Sequence, residues 1–114
     1  KMTKIKEFVG IQFIKGENEK DLPEIRLFRG LDRKRGKAIY KFSMPKTINI
    51  ENFNEIKRMY LIDKEGELST REIDLSISNN NITEVKSTYN WNSEIEFERF
   101  MRFAKRYANS HTNH

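Results

Sequence analysis

Residues 58–91 read RMYLIDKEGELSTREIDLSISNNNITEVKSTYNW, and their alternation decides the fold. Residues 58–62 are mostly apolar and read as a buried strand. Asp63-Lys64-Glu65-Gly66 follows, with Asp first and Gly last as a type I turn prefers. Within residues 67–78, Ile73, Leu75 and Ile77 face one way while Glu72, Asp74 and Ser76 face the other, the period of two of a half-buried strand. Asn79-Asn80-Asn81 supplies the next turn, because asparagine tolerates positive φ. Residues 82–91 form the strand after it. The stretch therefore predicts two successive hairpins in an antiparallel sheet.

Immediately downstream the period changes. Ser93 with Glu96 three residues on forms a capping box, which satisfies backbone donors at a helix start. Phe97, Phe100, Met101, Ala104, Tyr107 and Ala108 then recur at helical spacing as one apolar stripe, and Phe103 widens it. Glu94, Glu96 and Glu98 open the helix while Arg102, Lys105 and Arg106 lie toward its end, an order that complements the helix dipole.

Upstream, residues 8–14 read as a first strand with Gly10 as a bulge. Residues 15–22 are a polar loop ended by Pro23. Residues 24–28 form a second strand, 29–37 a basic loop, and 38–43 a third strand alternating Ala38, Tyr40, Phe42 against Ile39 and Lys41. Pro45 ends that strand, since proline cannot donate to a ladder. Residues 47–57 fit an irregular strand or a helical turn. The expected fold is mainly β within the α+β class. About six antiparallel strands form a sandwich or barrel-like arrangement closed by one C-terminal α-helix. Residues 1–114 make one domain, with 1–7 and 110–114 as flexible tails. Lys1 ahead of Met2 reads as an added residue.

A chain of 114 residues suits a single domain, and the absence of cysteine excludes disulfides and thiolate metal sites. The net charge of +5 favours acidic partners: nucleic acid, an anionic membrane surface or an acidic protein face. No apolar run approaches the ~20 residues that span a bilayer, and no signal-peptide pattern is present. The chain reads as soluble or peripheral to a membrane. Heavy use of Lys, Asn and Ile suits an A+T-rich genome, plastid genomes among them.

Catalytic machinery is not evident. The two histidines, His111 and His114, fall in the polar tail expected after the helix. There is no thiol nucleophile, no Ser/His/Asp order and no glycine-rich phosphate loop. The carboxylates alternate with lysine and arginine and read as solvated surface charge. The chain is expected to be no enzyme and to carry no cofactor or metal. The sharper feature is the loop in which Arg29, Arg33, Lys34, Arg35 and Lys37 oppose a single Asp32. Such a hairpin tip suits phosphates or an acidic protein surface, and it reads equally well as a solvated turn. Phe28, Tyr40 and Phe42 nearby suit base stacking but alternate as core residues do. Arg99, Arg102 and Arg106 lie off the apolar stripe, as a second docking face or as a solvated helix back.

Met59-Tyr60-Leu61-Ile62-Asp63-Lys64-Glu65-Gly66-Glu67-Leu68 followed by Thr70-Arg71-Glu72 resembles the middle block of a photosynthetic family. Glu98-Arg99-Phe100-Met101-Arg102-Phe103 followed by Arg106-Tyr107-Ala108 resembles its closing block. Phe13, Pro23-Glu24-Ile25-Arg26-Leu27, the 29–36 loop, and residues 38–42 followed by Pro45 resemble its opening part. The family is that of Psb twenty-eight, a small extrinsic photosystem II protein, and the resemblance covers residues 11 to 108. Phe97 stands where the family commonly has Trp, and Lys105 where it has an acidic residue.

The resemblance implies a non-catalytic assembly factor that binds photosystem II intermediates transiently and protects the unfinished acceptor side. The implied partners are PsbB, PsbA and PsbD with the neighbouring cytochrome b subunits. The implied location is peripheral to the thylakoid membrane through protein contacts, on its cytoplasmic or stromal side. The PsbB C-terminal tail is expected to add as a strand, at the edge of residues 25–28 or 38–43. The expected contact residues are Arg29, Arg33, Lys34, Arg35, Lys37, Ile39, Tyr40, Lys41, Arg99, Arg102 and Arg106. The free protein is expected to be a monomer and not to bind nucleic acid. Two rival readings are a small basic RNA-binding module and an enzyme of pigment metabolism.

Overall fold

Ala38, Tyr40 and Phe42 are buried while Lys37 is exposed and Ile39 and Lys41 are half-buried, so the alternation read for the third strand holds. This strand, Gly36–Ser43, is β4 in a computed structural model that describes residues 8–112. The other elements are β1 (Gly10–Ile14), β2 (Glu17–Asn18), β3 (Glu24–Arg29), β5 (Met59–Asp63), β6 (Gly66–Thr70), β7 (Glu72–Ser78), β8 (Asn81–Trp91) and α1 (Glu94–Thr112), with a 3-10 turn at Phe53–Glu55. Two four-stranded antiparallel sheets result, in the orders β2-β1-β5-β6 and β3-β4-β8-β7. The fold is a β sandwich with a C-terminal helix, and among the described residues no barrel closes.

The described residues hold eight strands rather than six, for two reasons. The loop at 15–22 contains the two-residue β2, and the strand read at 67–78 is divided at Arg71. β6 pairs with β5 in one sheet and β7 pairs with β8 in the other. Thr70 fastens the corner: its hydroxyl donates to the Thr88 carbonyl at 2.6 Å and accepts the Glu72 N–H at 3.1 Å. No Gly or Pro marks the division, because the Thr70 hydroxyl supplies the bonds that the ladder gives up there. The two hairpins stand, but they belong to opposite sheets.

Both turns follow their residues. The Asp63 carboxylate accepts the Glu65 N–H at 3.0 Å, and Gly66 takes φ +118°. Asn79 and Asn80 take φ 52° and 62°, the left-handed pair of a two-residue hairpin loop. Gly10 is no bulge. It pairs in register with Ile62, and the irregularity lies between Gln12 and Ile14 where β1 meets β2. Buried Gln12 closes that loop by donating to Asn18 at 2.7 Å and accepting the Gly16 N–H at 2.8 Å. Residues 47–57 resolve as the helical turn.

The core joins both sheets. Ile11, Met59 and Leu61 of the first sheet and Tyr40, Val85 and Trp91 of the second are at most 1% exposed. Phe13 meets Phe42 edge to face across the two sheets at 5.1 Å. α1 begins at the expected cap: the Glu96 N–H donates to Ser93 Oγ at 3.1 Å, while the Glu96 carboxylate accepts the Asn92 N–H at 2.6 Å. Phe100 stacks on Tyr89 at 5.5 Å and on Trp91 at 5.1 Å and meets Tyr40 edge-on at 6.4 Å. Phe103 is fully buried, whereas Ala108 at the end of the predicted stripe is exposed. The helix runs through 110–112, so His111 is helical and packs on Tyr107 at 4.5 Å. The predicted N-terminal tail at 1–7, the added-residue reading of Lys1 and the tail residues 113–114, His114 among them, lie outside the described residues.

Gly36 is required by space. A Cβ there would come within 2.5 Å of both the Phe28 carbonyl oxygen and the Trp91 ring. Phe100→Ala would empty the middle of the aromatic cluster at a cost of about 3–5 kcal/mol. Urea unfolding measures it, and a loss below about 1 kcal/mol would show that α1 is not part of the core.

Candidate partner-binding surface

β3 is an edge strand, and all six of its residues are exposed. It pairs with β4 from Glu24↔Lys41 to Arg29↔Gly36. The Gly30 N–H donates to the Arg35 carbonyl at 2.7 Å. Hydrogen-bonded pairs recur every second residue, so Phe28, Arg26 and Glu24 turn their main chain toward β4. The N–H and C=O groups of Ile25, Leu27 and Arg29 therefore point away from the sheet. Ile25 and Leu27 oppose the buried Tyr40 and Ala38 and so lie on the core side of the sheet, yet they are 40% and 49% exposed. On the outer side the Glu24 carboxylate pairs with Arg26 at 3.2 Å and Lys41 at 3.8 Å.

The strand at 38–43 offers no edge. β4 pairs with β3 on one side and with β8 along all of Gly36–Ser43 on the other. Its main-chain groups are committed to both ladders, so of the two receiving edges expected from sequence only β3 has room for another strand. Tyr40 is wholly buried, while Ile39 and Lys41 are half-buried on the outer face, beside Arg26, Phe28 and Lys86 around a cavity of about 230 Å³.

The loop 30–35 joining β3 to β4 is held by its own hydrogen bonds. The Asp32 carboxylate accepts the Lys34 N–H at 3.0 Å and the Arg35 N–H at 3.3 Å, which lowers its pKa. The Arg33 N–H donates to the Gly30 carbonyl at 3.0 Å, and Arg33 takes φ 62°. Arg29 braces the base: its guanidinium lies 3.9 Å from the Phe97 ring centre and donates to the Arg33 carbonyl at 2.5 Å. Arg33, Lys34, Arg35 and Lys37 are exposed, and Leu31 stands fully in solvent at the tip. Phe28 is 46% exposed, while Phe42 is core.

The helix arginines form a ridge directed at the β5–β6 turn. Arg99 donates to both Asp63 oxygens at 2.7 and 3.0 Å. Arg102 grips Glu65 in the same two-pronged way at 2.7 and 2.9 Å. Arg106 reaches Asp63 at 2.9 Å and Glu65 at 2.6 Å. Burial alone would push the Asp63 carboxyl up; the hydrogen bonds from Arg99, Arg106 and the Glu65 N–H outweigh it and hold it below its ordinary value. Hydrogen bonds from Arg102 and Arg106 bring Glu65 down to about 2. These partners lie 36 to 43 positions apart in sequence, which is why helical spacing alone reads the ridge as unengaged. Asp63 and Glu19 are each only 5% exposed, so the reading of all carboxylates as solvated surface charge fails at these two. Burial raises the pKa of Glu19, partly offset by the Thr47 hydroxyl that donates to it.

The Psb28 protein family model matches residues 11–113. The chain belongs to the Psb28 family. It is 72% identical over 109 residues to the photosystem II reaction center Psb28 protein of Prochlorococcus marinus strain NATL2A, covering 96% of each chain. It is 69% identical to the protein of the same name from strain NATL1A, again over 96% of each. Against that of Synechococcus sp. strain CC9605 the identity is 43% over 100 residues, 88% of this chain and 79% of the relative. Among the described residues of this Psb28-family chain, no helix is long and apolar enough to cross a membrane, and no group of three or more His, Cys, Asp or Glu is placed to hold a metal ion. The site feature missed in the sequence is Leu31. The signal was available as a single large apolar residue inside the basic loop.

The acid response of the ridge has a definite sign. Asp63 and Glu65 have lowered pKa values when folded, so protons bind more readily to the unfolded chain. Their stabilisation is present above the ordinary carboxylate range and is lost as pH falls from about 4.5 toward about 2. Glu65→Gln should flatten part of that loss when urea unfolding is followed in pH steps. Parallel curves for the two proteins would show that Glu65 is not coupled to the arginines in solution.

Proposed function

We propose that the chain is a non-catalytic photosystem II assembly factor. It binds assembly intermediates transiently on the cytoplasmic or stromal face of the thylakoid membrane and protects the immature acceptor side. The PsbB C-terminal tail adds to β3 as a further antiparallel or parallel strand. PsbA, PsbD and the neighbouring cytochrome b subunits lie beneath. The free protein is a monomer, and nucleic acid is not its partner. Relatives carrying the photosystem II name at 72% and 69% identity support the setting.

The observation that carries the mode of binding is the open β3 edge with half-exposed Ile25 and Leu27 along it. Added main-chain hydrogen bonds supply affinity there, and covering two apolar side chains supplies more. β7 is the other edge of the same sheet, but it carries Glu72 and Asp74 and an irregularity between Ser76 and Ile77. β3 runs instead into the cationic loop of Arg29, Arg33, Lys34, Arg35 and Lys37, which steers an acidic or membrane-proximal surface toward it. Ile39 and Lys41 lie on β4, one strand in from the added one, and back Arg26 and Glu24 of β3 on the outer face. Arg99, Arg102 and Arg106 act as a contact ridge through the parts not turned to Asp63 and Glu65.

Leu27→Pro tests the edge. The Leu27 N–H points away from β4, so proline removes a donor offered to the partner while sparing the ladder inside the sheet. The folded variant, verified by circular dichroism, should lose co-purification with photosystem II intermediates from thylakoids. Undiminished recovery of the same subunits would refute strand addition at β3.

A further inference from the structure

The β3–β4 hairpin carries a feature that strand addition does not use. Leu31 is 105% exposed, more than any other large hydrophobic described. It sits at the tip of a loop whose backbone is fixed by the Gly30–Arg35 and Gly30–Arg33 hydrogen bonds and by the Asp32 side chain. Packing does not require leucine there. The residues around it are cations. Arg33 and Lys34 are exposed on the next turn of the loop, and Arg35 lies beside them, 3.5 Å from Asp32. Asp32 is the single acid in the loop, and its carboxylate is taken up by the loop's own N–H groups. Glu94, Glu96 and Glu98 open α1, next to Phe97 on which Arg29 stacks, so acidic residues lie on the helix side of the loop's base and not at its tip.

We propose that this tip is a lipid-surface contact: Leu31 enters the boundary between headgroups and acyl chains while Arg33, Lys34 and Arg35 meet anionic headgroups. One apolar residue ringed by cations on a preformed loop matches a bilayer surface, where the apolar part needs depth rather than a pocket. Protein-binding anchors are instead contiguous with other buried apolar or aromatic contacts, and Leu31 has none beside it on the loop. The cations supply attraction and the leucine supplies depth, so neither suffices alone. The contact is weak by design of its size: each cation is worth roughly fivefold in partitioning onto an anionic surface. It orients the protein with its β3 edge held close to the membrane. It does not depend on which protein strand adds to β3, and it is tested without photosystem II.

Vesicles of phosphatidylcholine with and without phosphatidylglycerol provide the probe, read by co-sedimentation of the intact chain at low and moderate salt. The chain should bind the mixed vesicles and leave pure phosphatidylcholine almost untouched. Arg33→Asn with Lys34→Gln should lower the partition coefficient at least tenfold; asparagine is chosen because it tolerates the positive φ at position 33. Leu31→Ser should lower it about tenfold with every charge retained. All variants should unfold at the wild-type urea concentration, since these side chains support nothing else. Absence of wild-type binding, or equal binding by wild type and Leu31→Ser, would overturn the proposal. So would variants that bind vesicles normally but lose a membrane-free acidic protein partner, the result expected of a protein-docking tip.

Discussion

Asp63 ends β5 with its carboxylate almost out of water, and an ionised group persists there only where hydrogen bonds replace the water it has lost. Arg99 and Arg106 supply them from α1, and the Glu65 N–H supplies one from the turn that Asp63 itself begins. Sheet, turn and helix thus meet at one side chain. The helix meets the second sheet one residue further round. Arg99, Arg102 and Arg106 share a spacing of three and four, and Phe100, Phe103 and Tyr107 repeat it with an offset of one. The charged face therefore clamps the first sheet while the adjacent apolar face packs against Tyr89 and Trp91 of the second. Rotating α1 by a single residue would strand a buried charge and empty the aromatic cluster together.

Fixing α1 in this way leaves β3, like the two-residue β2, outside the core. β1, β4, β5 and β8 each contribute wholly buried side chains, whereas β3 contributes none and is attached through its ladder to β4. Gly36 shows how close that attachment is, with the Phe28 carbonyl and the Trp91 ring both where a Cβ would stand. Arg29, stacked on Phe97, ties the far end of β3 to the helix. The edge is consequently rigid but uncovered, so a partner strand meets a template that is already ordered and gives up little conformational freedom on binding.

Much of this was legible in the sequence where the cause is local. The Asn79-Asn80 turn, the Asp63–Gly66 turn, the alternation of Ala38, Tyr40 and Phe42, and the Ser93 cap each depend on residues within a few positions. What depends on distant residues was not legible. Nothing near Arg71 announces that the chain changes sheets there, because the bond that makes the corner is to Thr88. The arginine ridge looks free until Asp63 and Glu65 arrive from more than thirty positions away. The family blocks in the sequence contain both halves of that clamp, Asp63 and Glu65 in the middle block and the three arginines in the closing block. Strand order likewise lies beyond local reading, which is why β4, with its stronger pattern, competed with β3 as the receiving edge.

The proposed strand addition also constrains the partner. A strand laid on β3 continues the pleat, so every second residue of it falls beside Ile25 and Leu27 on the core side. Those positions must be apolar to cover side chains that are now 40% and 49% exposed. The alternate positions fall on the outer face beside Glu24, Arg26 and Phe28, where Arg26 and Lys41 are already committed to the Glu24 carboxylate. A cation added there would meet like charges, whereas a neutral or acidic residue would not. Main-chain hydrogen bonds accept nearly any sequence, so this alternation, apolar inward and uncharged or acidic outward, is where selection among candidate tails must lie.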